Sequence, residues 1–303
     1  IPILPERELT FVEASGVSRQ WEQKRLKLLY DLASGKLPLL ISSAQALSLR
    51  TMPREVLFSA SIRLRVGASF SPENLAEKLT QAGYARTSLV EGAGQFALRG
   101  GILDVYSPGE KQPVRCEFFG DELDAMGFFD PTTQRRTENT EEALLLPVAE
   151  SLPQLHPDGI SGLCRDLESI IARQRRRKTP HENLITTLTR DIEALQSGVN
   201  FPSADRYMAL IYPEFSCAAD YLPSETTIYF CDHGALARAA KAQEEEFGLG
   251  LDAFLESGRL VGELCEFYLS LEDLAAKVKG HPAVYFDSFL SARFPESLPP
   301  KQL

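Results

Sequence analysis

From Gln95 to Phe129 the hydrophobic period of the chain changes from helical to alternating, and turn residues punctuate the change at short intervals. Residues 95 to 99, 102 to 106, 114 to 119 and 122 to 129 each read as a short strand, separated by Gly100-Gly101, Ser107-Pro108-Gly109 and Gly120-Asp121. Strands this close together must pair antiparallel, because a parallel neighbour needs a long crossover that these turns cannot supply. A helix precedes them: Ser71 and Pro72 stand as N-cap and first helical residue, Leu75, Ala76 and Leu79 line one face, and Gly83 closes it. The spacing predicts a compact α+β domain over residues 63–149, built on an antiparallel meander.

The flanks have a different character. Val17, Trp21, Leu28 and Leu32, with Leu26 and Leu29 beside them, recur at helical spacing up to Ala33, and Gly35 stands where a helix-ending glycine would. A strand-like run over 37 to 42 and a short helix over 43 to 49 follow before Pro53. Beyond Pro147 helices are expected over 162 to 178 and 181 to 195, broken at Pro180, then strands over 227 to 231 and 283 to 286 and helices over 234 to 247 and 271 to 278. The reading is an α/β region in two segments, 1–62 and 150–303, split by the β-rich domain at 63–149. The opening segment is too short to close a sheet alone, and a chain that starts without Met in mid-pattern reads as a piece of something longer.

Composition excludes several classes. With 303 residues, 44% of them apolar, the chain can bury full cores without disulfides or a structural metal. A net charge of −10 opposes a surface that grips nucleic acid over its whole extent. The five cysteines, Cys116, Cys164, Cys217, Cys231 and Cys265, have no metal-knuckle spacing and suit a reducing compartment, so a cytoplasmic location is expected. No apolar run approaches the ~20 residues that span a bilayer.

Catalytic motifs are not found. Ser34-Gly35-Lys36-Leu37 lacks the first glycine of a phosphate-binding loop, and Leu37 replaces its magnesium-binding hydroxyl, so no cofactor is assigned. Gly92 and Gly94 match a loose dinucleotide pattern but precede a strand instead of a helix. His156, His181, His233 and His281 are scattered; in Cys231-Asp232-His233 a helix cap at Asp232 and a small buried Cys231 account for the residues. Glu244, Glu245 and Glu246 read as a solvated helix face. Arg173, Arg175, Arg176, Arg177 and Lys178 form a basic run at a helix end, where the dipole favours cations; contact with DNA phosphates is the alternative.

Alternation singles out one surface. Val114, Cys116 and Phe118 make the apolar face of their strand, which puts Arg115, Glu117 and Phe119 on the other. The same reasoning sends Phe96 and Leu98 inward and Ala97 and Arg99 outward. If the strands are neighbours, Arg99, Arg115, Glu117 and Phe119 make one patch, with an aromatic residue bordered by charge, the composition of a binding hot spot. Two readings stay open from pattern alone: a docking face, or a Phe119 covered by its own chain beside an ordinary Arg115–Glu117 surface pair worth about 0 to 1 kcal/mol.

The segments GQFALRGGILDVYSP (94–108), PVRCEFFGDELDAMGFFDPTTQRR (113–136) and LLLPVAE (144–150) resemble the second domain of bacterial transcription-repair coupling factors (Mfd), itself similar to domain 2 of the excision-repair protein UvrB. The Trp21 helix and LLISSAQAL (39–47) are similar to the back half of domain 1a, and YMALIYPE (207–214), YLP (221–223) and TTIYFCDHGALARA (226–239) to domain 1b. The resemblance implies a degenerate helicase-like α/β domain carrying an inserted domain that recruits UvrA. It implies that Arg99 of the F-x-x-R-G motif, Arg115, Glu117 and Phe119 of the V-R-x-E-F-F strand, and Arg86 at a further basic position contact UvrA. Ala97 replaces a second arginine of UvrB, and UvrB's DNA-inserting hairpin is not recognisable. RNA polymerase and double-stranded DNA as partners, ATP with Mg in a motor, and masking of the face by a C-terminal domain are implied for the full-length family protein.

Overall fold

The computed structural model describes residues 1–7, 20–198 and 204–286. Helices α1 (Gln20–Ala33), α2 (Ala44–Ser48) and α3 (Arg54–Ala60) precede strand β1 (Ile62–Arg65) and helix α4 (Pro72–Gln81). Strands β2 (Ala85–Arg86), β3 (Gln95–Arg99), β4 (Ile102–Val105), β5 (Val114–Phe119), β6 (Glu122–Phe129), β7 (Arg136–Asn139) and β8 (Glu142–Leu145) follow. The remainder holds α5 (Gly159–Arg175), α6 (Glu182–Ser197), α7 (Met208–Ile211), β9 (Ile228–Cys231), α8 (His233–Glu256), α9 (Leu271–Val278) and β10 (Ala283–Phe286), with short 3-10 turns between. The fold is mixed α/β with one large sheet. Among the described residues no helix is long and apolar enough to cross a membrane.

The large sheet has the order β2-β3-β4-β5-β6-β7, with β2 parallel to β3 and every other pair antiparallel. The four-strand meander lies within a residue of where alternation puts it; the flanking strands β2 and β7 are additions. Ser71 caps α4 by accepting from the Asn74 N–H at 3.4 Å, and Pro72 occupies the first turn, where its missing N–H costs nothing. The α4 face of Leu75, Ala76 and Leu79 meets Phe96, Leu103, Val105, Cys116, Leu123 and Met126 in one core, so the other sheet face is left for other uses. Gly101 allows the first turn to close: a Cβ there would sit 2.8 Å from the Phe118 carbonyl oxygen. The chain enters this region through β1 and leaves through β8, which pair antiparallel from Ile62↔Leu145 to Arg65↔Glu142.

In the opening segment the expected strand over 37 to 42 is not a ladder. Among the described residues only Ile41 is bridged there, parallel to Ile3, and no neighbouring strand among them continues the pairing. Helix α1 buries Leu26, Leu28, Leu29 and Leu32 as its spacing predicts, but Trp21 points to water under Lys24 and Arg25 takes the buried position instead. Val17, the first residue of that pattern, lies outside the described residues. Arg25 is compensated by Glu150 at 3.0 Å, and Thr51 and Arg7 also reach that carboxylate. Arg50 donates to the Tyr212 carbonyl at 2.6 Å and pairs with Glu266 at 2.8 Å. A guanidinium buried without such partners would cost several kcal/mol, so these ties hold the segment before β1 to the chain after β8. Glu22 belongs to the same network, accepting the Glu150 N–H at 2.6 Å; burial beside Asp205 and Glu150 pushes its pKa up to about 7, against the attraction of Arg7.

The later strands form a two-stranded parallel sheet, β10 beside β9. Asp232 caps α8 by accepting from the Ala235 N–H at 3.0 Å, as expected, but Cys231 is exposed and not buried, because nothing covers that side of the pair among the described residues.

Candidate docking face

The second face of the large sheet divides into a covered zone and a bare zone. Register brings Ala97, Asp104, Arg115 and Gly127 side by side across four strands, and Arg99, Ile102, Glu117 and Ala125 into the adjacent row. At the Ala97 end of the first row Val90, Ala97 and Phe129 are buried together, with Tyr106 against them. The expectation that Ala97 faces solvent is therefore corrected: it points away from the main core, but the loop carrying Val90 and the Phe129 ring close over it.

Asp104 was not singled out by the sequence, and it organises the face. It is fully buried, and its carboxylate accepts from Arg115 Nε at 2.7 Å, Arg115 Nη2 at 2.9 Å and Arg99 Nη2 at 2.5 Å. The hydrogen bonds to Asp104 raise the pKa of Arg115 above the usual arginine range. Arg115 also lies over the Phe129 ring, 4.7 Å from its centroid, and Arg99 donates to the Ser88 carbonyl at 3.0 Å. Two cations over one anion leave the cluster with a net positive charge. Alternation along β4, with Leu103 and Val105 inward, was the available signal for Asp104; its burial depends on neighbours from β3 and β5 that no local pattern contains.

Glu117 does not pair with Arg115, the partner that strand proximity suggested. It accepts from Arg136 Nη2 at 2.7 Å, because Arg115 is drawn toward Asp104 and the β7 arginine crosses over Gly127, where a Cβ would meet the Arg136 Nε at 2.8 Å. Phe119 is 84% exposed, the most exposed large apolar side chain on this sheet, at the end of β5 opposite Glu122. Ile102, between Arg99 and Glu117 in register, adds a second exposed apolar side chain that the sequence reading missed.

Arg86 stands apart. Its register partner on the parallel strand β3 is Phe96, which faces the core, so Arg86 emerges at the sheet edge on the opposite side from Arg99. There it lines a cleft of about 600 Å³ with Tyr84, Gln95, Leu152 and Gln154. The structure thus brings together Arg99, Arg115, Glu117 and Phe119 and separates Arg86 from them. The basic run also resolves into parts: Arg173 pairs with Glu263, whereas Arg175, Arg176, Arg177 and Lys178 are exposed where α5 turns toward α6.

A sheet with one face on a helix and the other offering an exposed aromatic residue among paired charges has the composition of a protein-docking face. Residues 62–150 match the family model described as the UvrB interaction domain, and this part of the chain belongs to that domain family. Similarity extends well beyond it. The chain is 26% identical over 294 residues to the transcription-repair-coupling factor of Bacillus subtilis, covering 95% of this chain and 24% of the relative. It is 30% identical over 263 residues to that of Myxococcus xanthus, covering 84% of this chain and 21% of the relative, and 28% identical over 301 residues to that of Staphylococcus aureus, covering 94% and 24%. The chain is a UvrB-like module of the transcription-repair-coupling-factor family, and it spans about a quarter of the length of these relatives.

Proposed function

We propose that this chain is a docking module that recruits UvrA and so connects stalled RNA polymerase to nucleotide excision repair. The observation that carries the reading is Phe119, left in water at the end of β5 opposite Glu122, on the same sheet face as Arg99 and the exposed Ile102. An 84% exposed benzyl group contributes nothing to its own fold but fills an apolar pocket on a partner, and the net positive Asp104 cluster favours carboxylates around that pocket. The segments on either side of 63–149 form the helicase-like α/β body on which this inserted domain is displayed. Displacement of RNA polymerase and ATP-driven movement on double-stranded DNA fall, in this proposal, to other parts of a full-length coupling factor, one of whose domains masks the face until it is needed.

The reading is tested by calorimetric titration of purified UvrA with the parent chain and with Phe119→Ala. Loss of about 2 kcal/mol, roughly thirtyfold in affinity, is expected for a central aromatic anchor. Equal affinity of the two chains would refute it.

A second reading draws on the four exposed cations at the α5 to α6 turn: contact with DNA phosphates. It predicts binding to duplex DNA that falls steeply with salt and is lost when Arg175, Arg176 and Arg177 are changed to Gln. Absence of binding at low salt disposes of it.

A further inference from the structure

Arg115 directs most of its donors into its own chain. Besides the two hydrogen bonds to Asp104, Nη1 donates to the Gln134 carbonyl and Nη2 to the Gln134 side-chain oxygen, each at 3.4 Å. Four of the five guanidinium N–H groups thus have internal partners. The side chain is only 20% exposed, against 44% for Arg99, whose side chain donates to Asp104 and Ser88 among the described residues.

Gln134 is held in an unusual conformation for this purpose. Its φ is +61°, in the left-handed region that disfavours a side chain, and Asp130 braces the turn by accepting the N–H groups of Thr132 and Thr133 at 3.0 and 2.7 Å. Gln134 Nε2 donates to the Pro131 carbonyl at 2.7 Å and to the Val90 carbonyl at 3.2 Å. One amide therefore ties the turn before β7 to the loop between β2 and β3. That loop supplies the Ser88 carbonyl that orients Arg99, and it presents the half-exposed Leu89 next to it.

We infer that Asp104 and Gln134 are positioning residues of the docking face: they hold Arg115 as an internal strut, so that Arg99, Ile102 and Phe119 make the contacts with the partner. The inference rests on the docking reading and deepens it. The partner surface it fits offers a carboxylate opposite Arg99 and an apolar pocket for Phe119, with no separate carboxylate reserved for Arg115.

Asp104→Asn separates positioning from charge, because the two predict opposite signs. The variant keeps the shape of the side chain and removes one negative charge from beneath two guanidinium groups. If the face acted through its charge alone, an acidic partner surface would bind this variant more tightly, with a steeper dependence on salt. Positioning predicts about tenfold weaker binding, because both arginines lose their anchor. Gln134→Gly is the companion variant. Glycine adopts φ +61° without strain, so the fold is kept while all three side-chain hydrogen bonds are lost, and about threefold weaker binding is expected.

Affinity for purified UvrA is measured by calorimetry over a range of salt, with urea unfolding of each variant alongside and Phe119→Ala as reference. Adding Arg115→Gln to Asp104→Asn is expected to leave the salt slope unchanged, whereas adding Arg99→Gln flattens it. If Phe119→Ala binds like the parent, the docking reading itself fails. If Phe119→Ala is weakened but Asp104→Asn binds as well as the parent or better, the positioning roles are overturned and docking stands. A salt slope that flattens as much on loss of Arg115 as on loss of Arg99 overturns them as well. Should Asp104→Asn be unfolded, parent-like affinity of Gln134→Gly overturns them.

Discussion

Glu22→Gln is expected to stabilise the protein in alkaline solution and leave it unchanged in acid. The Glu22 carboxyl accepts the Glu150 N–H at 2.6 Å and sits among Asp205, Glu150 and Arg7, where burial pushes its pKa from an ordinary 4.5 to about 7. Between those two values the folded state holds a proton that the unfolded state has released, so stability falls as pH rises through this window. The difference of about 2.5 pH units corresponds to about 3 kcal/mol that the ionised side chain costs the folded state above pH 7. A glutamine keeps the acceptor oxygen for the Glu150 N–H and never ionises. Urea unfolding of parent and variant at a series of pH values from 4 to 8 measures the difference directly, and subtraction removes the titrating groups that do not interact with Glu22. The two curves should coincide near the acid end and separate in favour of the variant as pH approaches 8. A variant less stable than the parent at the alkaline end, or a constant offset at all pH values, would refute the reasoning, because it would mean that Glu22 is ionised and held by Arg7 throughout.

Other outcomes follow from the same geometry. Phe119→Ala should change unfolding stability by less than about 0.5 kcal/mol, because an 84% exposed ring has little left to lose; a larger loss in urea unfolding would show that the ring packs on its own chain. Gly101→Ala should cost about 1 to 3 kcal/mol, because its Cβ would stand 2.8 Å from the Phe118 carbonyl oxygen and push the turn off β5; equal denaturation midpoints would contradict this. Arg115→Ala should destabilise by about 1.5 to 3 kcal/mol, leaving Asp104 buried with one cation instead of two; adding Asp104→Asn should restore part of the loss, and strict additivity of the two changes would argue against the pairing.

The patch itself was partly legible because alternation is a local property. Phe119 had to face away from Cys116 and Phe118's side of the strand, whatever lay above it, and it does. The neighbours that decide what each outward residue touches come from elsewhere in the chain. Asp104 looked like any outward polar residue of a strand and became a buried anchor only when β3 and β5 brought an arginine to each side. Ala97 was outward by the same pattern and became buried under Val90 and Phe129. Arg86 matched a basic position in the resemblance, yet parallel pairing of β2 with β3 turned it toward the opposite side of the sheet edge.

Sequence alone determined the meander, the α4 helix that covers one side of it, and the outward direction of Phe119, since periods of two and 3.6 and glycine turns depend only on near neighbours along the chain. Tertiary structure alone decided which charges pair: Glu117 with Arg136, Arg115 with Asp104, and Arg25 with Glu150 far along the chain. Coulomb attraction and hydrogen bonding act over a few ångströms of space with no regard to sequence distance, so their partners are chosen only when the strands and helices are in place.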